Sequence, residues 1–515
     1  MKCTVIQGSN QRTVNFDRPL KLSELLLMQD IPFSMPCGQN GTCGKCAVQV
    51  TGTLSEPDER ERRKLSDMPE HTRLACQCTA LGDCTITLPE KDYRIVADSI
   101  LPQTELSPMD TGYGFAVDIG TTTVAIYLYD LNDGKCLERR TFMNPQSSFG
   151  ADVISRIEKA CAGKSTELAA AIRNAIEDTF LDICARLSIE VHTAVITGNT
   201  AMLYLLTEQD TKPLTAAPFA ITEYLGKTVT GLFPRLPQLK VYLPCTAAAF
   251  VGSDITCSML ACGMQHTDQT VLMADIGTNG EMALIHDGKL SVCATAAGPA
   301  FEGAGITFGM AAGAGAIDSV SRIEDNIIST VIGGGKATGI CGTGLIDAAS
   351  MLLKTGLIDE TGCIDEENEA FARYLTEYDD LPAVALTDAV LMTQKDVRQL
   401  QLAKAAICAG IDTLLETAGI TPEEVDIFYI AGGFGRYINT ASAAEIGLFP
   451  KELAARSKAV GNAAGAGASM LLLNQNLLAE SDKLATEAEV VDLSTSPVFM
   501  EQYIERMHFD CDEDD

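Results

Sequence analysis

Two sets of residues in this 515-residue chain have the types and spacing to do chemistry. The first is Asp275-Ile276-Gly277-Thr278-Asn279-Gly280-Glu281, directly after the apolar run Val271-Leu272-Met273-Ala274. An apolar run ending in an acid and a Gly-polar turn predicts a buried strand feeding a hairpin whose backbone N–H groups face a phosphate. The acid then sits beside the phosphates, placed to hold Mg²⁺. The same grammar occurs about 160 residues earlier, where Phe115-Ala116-Val117 leads into Asp118-Ile119-Gly120-Thr121-Thr122-Thr123. Either copy alone reads equally as a β-turn after a core strand, whereas the pair argues for two homologous lobes with one phosphate loop each.

The second set is thiols. Pro36-Cys37-Gly38-Gln39-Asn40-Gly41-Thr42-Cys43-Gly44-Lys45-Cys46 is a Gly-rich loop with C-x₅-C-x₂-C spacing, and Cys76 follows thirty positions after Cys46 in Arg73-Leu74-Ala75-Cys76-Gln77. Three thiolates on one loop and one distant thiolate suit a [2Fe–2S] cluster, which takes two ligands per iron, with glycines letting N–H groups point at the sulfurs. The alternatives are zinc, which usually wants two CxxC-like pairs, or unrelated thiols. Cys78 is the competing fourth ligand, because strand alternation points it the same way as Cys76. Five residues in the first gap, rather than the plant-type four, resemble the adrenodoxin-like ferredoxins.

A third element, Ile427-Phe428-Tyr429-Ile430-Ala431 before Gly432-Gly433-Phe434-Gly435, allows close backbone approach to a flat group such as adenine or to a ribose. Gly198-Asn199-Thr200 and Gly461-Asn462-Ala463 each precede a helical run. In order and spacing, these segments resemble the two phosphate, two connecting and one adenosine motif of the actin, sugar-kinase and Hsp70 superfamily. That resemblance implies ATP binding.

The elements that must position these groups can be read from composition and pattern. Length implies two or three domains. No run approaches the roughly 18 apolar residues of a membrane span, and Met1-Lys2-Cys3-Thr4 does not open a signal peptide, so a cytoplasmic protein is expected. Net charge is −31. Residues 1–95 hold 12 Lys+Arg and 12 Asp+Glu, so all of the excess lies beyond them and argues against nucleic acid as a partner. Most of the 18 Cys sit singly in apolar surroundings, as buried reduced thiols do.

Residues 1–95 read as an α+β β-grasp ferredoxin domain, with a hairpin over 3–7 and 12–16, a short helix near Leu22–Gln29 and a last strand near Cys84–Leu88. Residues 96–112, with Pro102 and Pro108, read as a flexible linker or else a packed connector. Residues 113–515 read as a two-lobed α/β actin-like ATPase, with lobes of about 113–265 and 266–515. In the small-residue stretch 297–315, Glu302 is either a cleft residue or a surface carboxylate. Gly342-Thr343-Gly344 opens a helix that touches nucleotide or is merely capped by its Thr.

Combining a one-electron carrier with an ATP site implies uphill transfer or a timed conformational change. The whole chain resembles the reductive activators of corrinoid proteins and the activating enzymes of anaerobic O-demethylases. The resemblance runs through the ferredoxin domain, Asn144-Pro145-Gln146, Gly150-Ala151-Asp152-Val153-Ile154-Ser155-Arg156-Ile157, the 297–315 segment and the Phe499–Met507 ending. One departure is that the linker runs straight into the strand before Asp118, where longer members insert a small middle domain. The family implies ATP-dependent one-electron reduction of cob(II)alamin to cob(I)alamin in a corrinoid partner, a low-potential electron donor, and a homodimer formed through the C-terminal part. By this resemblance Cys37, Cys43, Cys46 and Cys76 hold the cluster. Asp118, Gly120, Thr121 and Thr122 face Asp275, Gly277, Thr278, Asn279 and Gly280 across ATP, and Asp118 or Asp275 orders Mg²⁺ and the attacking water. Gly432, Gly433 and Gly435 cradle the adenosine. Other readings are an ATP-dependent electron injector for another low-potential enzyme, a metabolite kinase with a redox-sensing ferredoxin domain, and a redox-regulated binding protein without hydrolysis.

Overall fold

A computed structural model of the chain describes residues 1–7, 10–28, 41, 46–65, 68–88, 104–216, 219–433 and 437–509. Near the N-terminus, the hairpin Lys2–Gln7/Asn10–Asn15 joins Thr79–Leu88, Ala47–Leu54 and Thr72–Leu74 in one mixed sheet. Alternating side chains, among them Val5, Val48, Val50 and Ile86, bury one face against Leu22, Leu25 and Leu26 of the helix Leu22–Leu27. Glu61, only 1% exposed, accepts two hydrogen bonds at 2.9 Å from Arg73 and a third at 2.8 Å from the Leu74 amide. This charge-assisted fork fixes the strand that delivers Cys76.

The remainder repeats one plan twice. In the first lobe, Tyr113–Ile119, Thr123–Asp130 and Lys135–Met143 form an antiparallel meander, and Val191–Gly198 runs parallel to the first of these strands. In the second, Val271–Ile276, Gly280–His286 and Lys289–Thr295 form the same meander, with Ile427–Ala431 parallel to its first strand. The near-continuous apolar strands are those of sheets covered on both faces. Between the sheets lie the helices Ser253–Ala261 and Ala463–Leu473, whose Ile255, Met259, Leu471 and Leu472 share a core with Tyr127, Met273 and Val292 from both lobes. A Cβ at Gly467 would stand 2.0 Å from the Cys257 carbonyl oxygen, so only glycine lets these helices cross this closely.

Two small antiparallel additions to the second lobe, built on Ala316–Ile323/Asn326–Val331 and Leu375–Tyr378/Leu381–Ala385/Leu391–Thr393, have no counterpart in the sequence reading. Of the expected linker, 104–112 lies within the described residues and is docked. Ser107 and Met109 donate to the Leu473 and Leu472 carbonyls at 2.9 and 3.1 Å, and Gln475 donates back to Ser107 at 2.7 Å. The expected freedom to swing therefore does not extend to 104–112, and 96–103 lies outside the described residues.

Candidate functional site

The two hairpins end alike. Ile276 pairs with Gly280 and Ile119 with Val124, and each turn is closed by a glycine amide, Gly277 to the Asn279 carbonyl and Gly120 to the Thr123 carbonyl, both at 3.0 Å. The tips meet, with the Thr122 and Thr278 hydroxyls 3.5 Å apart. Glu302 joins them: its carboxylate accepts from the Thr278 amide at 3.0 Å, from the Thr278 hydroxyl at 2.6 Å and from the Thr122 hydroxyl. Of the two roles open to Glu302 in sequence, the structure selects the cleft.

The first tip is held from behind. Arg156, fully buried, donates to the carbonyls of Thr121 and Gly150 at 2.6 and 3.0 Å. Asn144 donates to the Gly120 carbonyl at 2.8 Å, and Asn199 reaches the Thr121 hydroxyl at 3.3 Å while capping the helix Thr200–Thr207. The Asn144-Pro145-Gln146 and Gly150–Ile157 segments thus act as scaffolding for the turn at Gly120–Thr121.

Both tips open on a cleft of about 780 Å³ lined by Asp118, Thr121, Thr122, Asp275, Gly277, Thr278, Asn279, Gly432 and Gly433. Gly120 also lines it, whereas Gly280 is buried behind its tip against Ile407 of the helix Gln394–Ala418. Gly432 has φ +108°, and a Cβ there would lie 2.3 Å from the Ile276 carbonyl oxygen and 3.1 Å from Asp275 Oδ1. Its small size is thus demanded by the neighbouring strand. Gly435 lies outside the described residues.

Sequence reasoning missed how acidic the cleft is. Asp254, at the start of Ser253–Ala261, and Glu281 join Asp118, Asp275 and Glu302, and no described residue lining the cleft is Lys, Arg or His. Protein surrounds the carboxylates even where the cleft reaches them. Burial pushes Asp118 up to about 6, partly offset by the Asn462 amide at 2.8 Å, and pushes Asp275 up to about 7, with Asp118 and Glu302 adding to the rise. Burial, with Asp275 and Asp118 nearby, raises Asp254 to about 8, and burial with Asp254 and Asp275 raises Glu281 well above the carboxylate range. The available signal was the register, since Glu281 pairs with Asp275; nothing local marked Asp254. The helix Gly342–Lys354 does border the cleft, but Thr343 is not its cap: its hydroxyl donates to the Asp318 carbonyl at 2.9 Å, and Cys341 occupies the cap position.

In the N-terminal sheet the Cys46 and Cys76 sulfurs lie 3.2 Å apart, both buried, and the Gln77 amide reaches Cys76 Sγ at 3.2 Å. The contact with Cys46, opposed by burial and helped by Gln77, lowers the Cys76 thiol to about 6, while burial raises Cys78 to about 11. Paired sulfurs with thiolate character fit the donor chemistry of an iron–sulfur centre. Cys37 and Cys43 lie outside the described residues.

Residues 269–514 match the family described as the C-terminal domain of RACo, the ASKHA domain; 113–267 match the RACo middle region; and 5–81 match the 2Fe-2S iron-sulfur cluster binding domain. The first lobe, directly after the linker, is therefore the family's own middle region. The corrinoid activation enzyme RamQ of Eubacterium limosum is 35% identical over 417 residues, which cover 76% of this chain and 69% of that protein. The Co(II) methylated amine-specific corrinoid protein reductase of Methanosarcina barkeri is 27% identical over 430 residues, 76% of each. The solved structure of a reductive activator for corrinoid, iron-sulfur protein is 28% identical, with a TM-score of 0.73 and 98% of both chains covered. With iron–sulfur, middle and C-terminal regions matched in order, the chain belongs to the RACo family of reductive activators of corrinoid proteins.

Proposed function

We propose that this chain is an ATP-hydrolysing reductase of a corrinoid protein. It would pass one electron from an external low-potential donor to Co(II), leaving Co(I), while ATP and water become ADP and phosphate. The observation that carries the reading is the meeting of two phosphate hairpins, Thr122 opposite Thr278, over one acidic cleft in a chain that also pairs Cys46 with Cys76.

Cys46 and Cys76, with Cys37 and Cys43, would hold the cluster, and the Gln77 amide would steady Cys76 Sγ. When bound, a [2Fe–2S] cluster supplies a one-electron carrier, near roughly −400 mV in plant-type centres. At the other site, Asp118 and Asp275 would take Mg²⁺, whose charge replaces the protons that burial favours on them. A triphosphate entering a cleft lined by no described basic residue depends on that ion and on the backbone amides at Gly120, Gly277 and Thr278 for neutralisation. The Thr122 and Thr278 hydroxyls would leave Glu302 for phosphate oxygens, and Asp275 would orient the attacking water; catalysis here is positioning and electrostatics. Gly432 and Gly433, with Gly435, would leave room for the adenosine.

Hydrolysis closes a cycle in which the lobes change their relation and the transfer becomes one-way. The helix Pro497–Glu505 leaves Met500 and Ile504 53% and 61% exposed, apolar surface that supports a homodimer through the C-terminal part. Among the described residues no helix is long and apolar enough to cross a membrane, which supports a cytoplasmic setting.

The test is anaerobic: protein, strong reductant, MgATP and a Co(II) corrinoid protein are mixed, and the Co(I) absorption band is followed with and without ATP. ATP-dependent growth of the band is expected. A working ATPase with a full cluster spectrum and no band against several corrinoid partners would point to an electron injector for another enzyme. ATP consumed only with a small metabolite would point to a kinase.

A further inference from the structure

Away from the hairpin tips, the cleft wall is formed by the strand Ala316–Ile323 and the helix Gly342–Lys354. Each presents an aspartate there. Asp347 is only 6% exposed, and its Oδ1 is buried without a hydrogen-bond partner. Asp318 Oδ1 is likewise buried and unpartnered. The two belong to one local arrangement, because the Thr343 hydroxyl, one helical turn before Asp347, donates to the Asp318 carbonyl at 2.9 Å. Native proteins satisfy buried polar atoms, so two orphaned acceptors on residues that line one cleft mark places where a ligand can complete the bonding.

The chemistry of that ligand is constrained. Ionised carboxylates only accept hydrogen bonds, so a ligand group that bonds to them directly, without a bridging cation, must donate. Phosphate oxygens cannot, and their charge is repelled. In a nucleoside triphosphate the donors lie at the other end, on the sugar hydroxyls and the base, and a ribose offers two such hydroxyls to two acceptors on one cleft wall.

We propose that Asp347 and Asp318 form a ribose-reading site that makes the cleft select ribonucleotides over deoxyribonucleotides. The proposal rests on the reading of the cleft as an ATPase site and adds to it the part of the substrate that sets specificity. Asp347 is the principal acceptor and Asp318 the secondary one, since Asp347 is the more deeply buried and loses more when its partner hydroxyl is missing.

The experiment uses the full-length, cluster-loaded protein and measures ATPase kcat and KM with MgATP, Mg-2′-deoxyATP and Mg-3′-deoxyATP. The intact protein is expected to show a KM at least about tenfold higher for one or both deoxynucleotides, with similar kcat. Asp347→Asn should raise the KM for ATP about tenfold and leave that for the discriminated deoxynucleotide within about twofold. Asp318→Asn should move both in the same direction by less. Equal KM values for all three nucleotides in the intact protein, or an Asp347→Asn effect equal on ATP and deoxyATP, would overturn the ribose site while leaving the ATPase reading standing. The first of these needs no variant and is indifferent to misfolding. No turnover with any of the three would remove the ATPase reading and this site together.

Discussion

The two hairpins that meet over the cleft share a backbone and differ in their chemistry. Each is a strand ending in Asp, a glycine-closed turn and a returning strand, and each lies beside a parallel crossover strand. Asp118, however, receives the Asn462 amide at 2.8 Å, whereas Asp275 has no side-chain donor among the described residues and faces Asp118 and Glu302. The first hairpin is also braced by Arg156, Asn144 and Asn199, while the second leans on Gly432 and Glu302. Duplicated backbone thus supplies two matching turns on one cleft, and packing divides them: one aspartate is satisfied in advance, and the other is left short of positive charge.

The strongest test of that division removes each acid in turn. Asp275→Asn is expected to lower ATPase kcat by about a thousandfold or more, and Asp118→Asn by roughly ten- to a hundredfold, with the visible cluster spectrum intact in both. Equal losses would mean that Asn462 does not distinguish the two. Gly432→Ala should damage the second hairpin alone. Its Cβ would drive into the Ile276 carbonyl from a positive φ, so the melting temperature should fall by the equivalent of about 2 kcal/mol or more, against a smaller loss for Gly120→Ala. Glu302→Ala tests the link between the tips. Removing a carboxylate that competes for the Thr122 and Thr278 hydroxyls and repels polyphosphate should tighten a non-hydrolysable ATP analogue several-fold in calorimetry and lower the melting temperature of the nucleotide-free protein. Weaker binding would recast Glu302 as a metal ligand.

What could be read from the sequence was local. The strand-Asp-Gly-Thr order fixed both hairpins, because alternation, turn chemistry and the acid all lie within ten residues. Asn199 and Asn462 cap the helices expected after them. The fork of Glu61 onto Arg73, which sets the strand leading into Cys76, also spans only 12 positions. The rest arrives from far along the chain. Glu302 is 180 positions from Thr122, and Asn462 is 344 from Asp118. Asp254, Asp318 and Asp347 have ordinary neighbours, and only the crossing of helices and strands turns them inward. Thr343 looked like a cap, but its hydroxyl was claimed by a strand 25 residues earlier. The linker looked loose because composition does not show that the backbone at Leu472 and Leu473 would accept its amides.

The smallest effect tests the difference in pH. A carboxylate raised in the folded protein adds stability that is complete below its unfolded value, near 3.8, and is lost as pH rises through its folded value. For Asp118 that loss runs through about 6 and for Asp275 through about 7. The metal-free protein should therefore melt at progressively lower temperature between pH 5 and 8, and Mg²⁺ with nucleotide should restore most at the upper end, where it displaces no proton. Asn462→Ser keeps an oxygen to cap the helix Ala463–Leu473 but removes the amide that holds Asp118 down. Asp118 then approaches its partner, and the pH midpoint of Mg²⁺-dependent stabilisation should move alkaline by up to about one unit. The same substitution on an Asp118→Asn background should move nothing. An unchanged midpoint in the single variant would mean that Asn462 serves the helix and not the acid, and that the asymmetry between the hairpins lies in Glu302 alone.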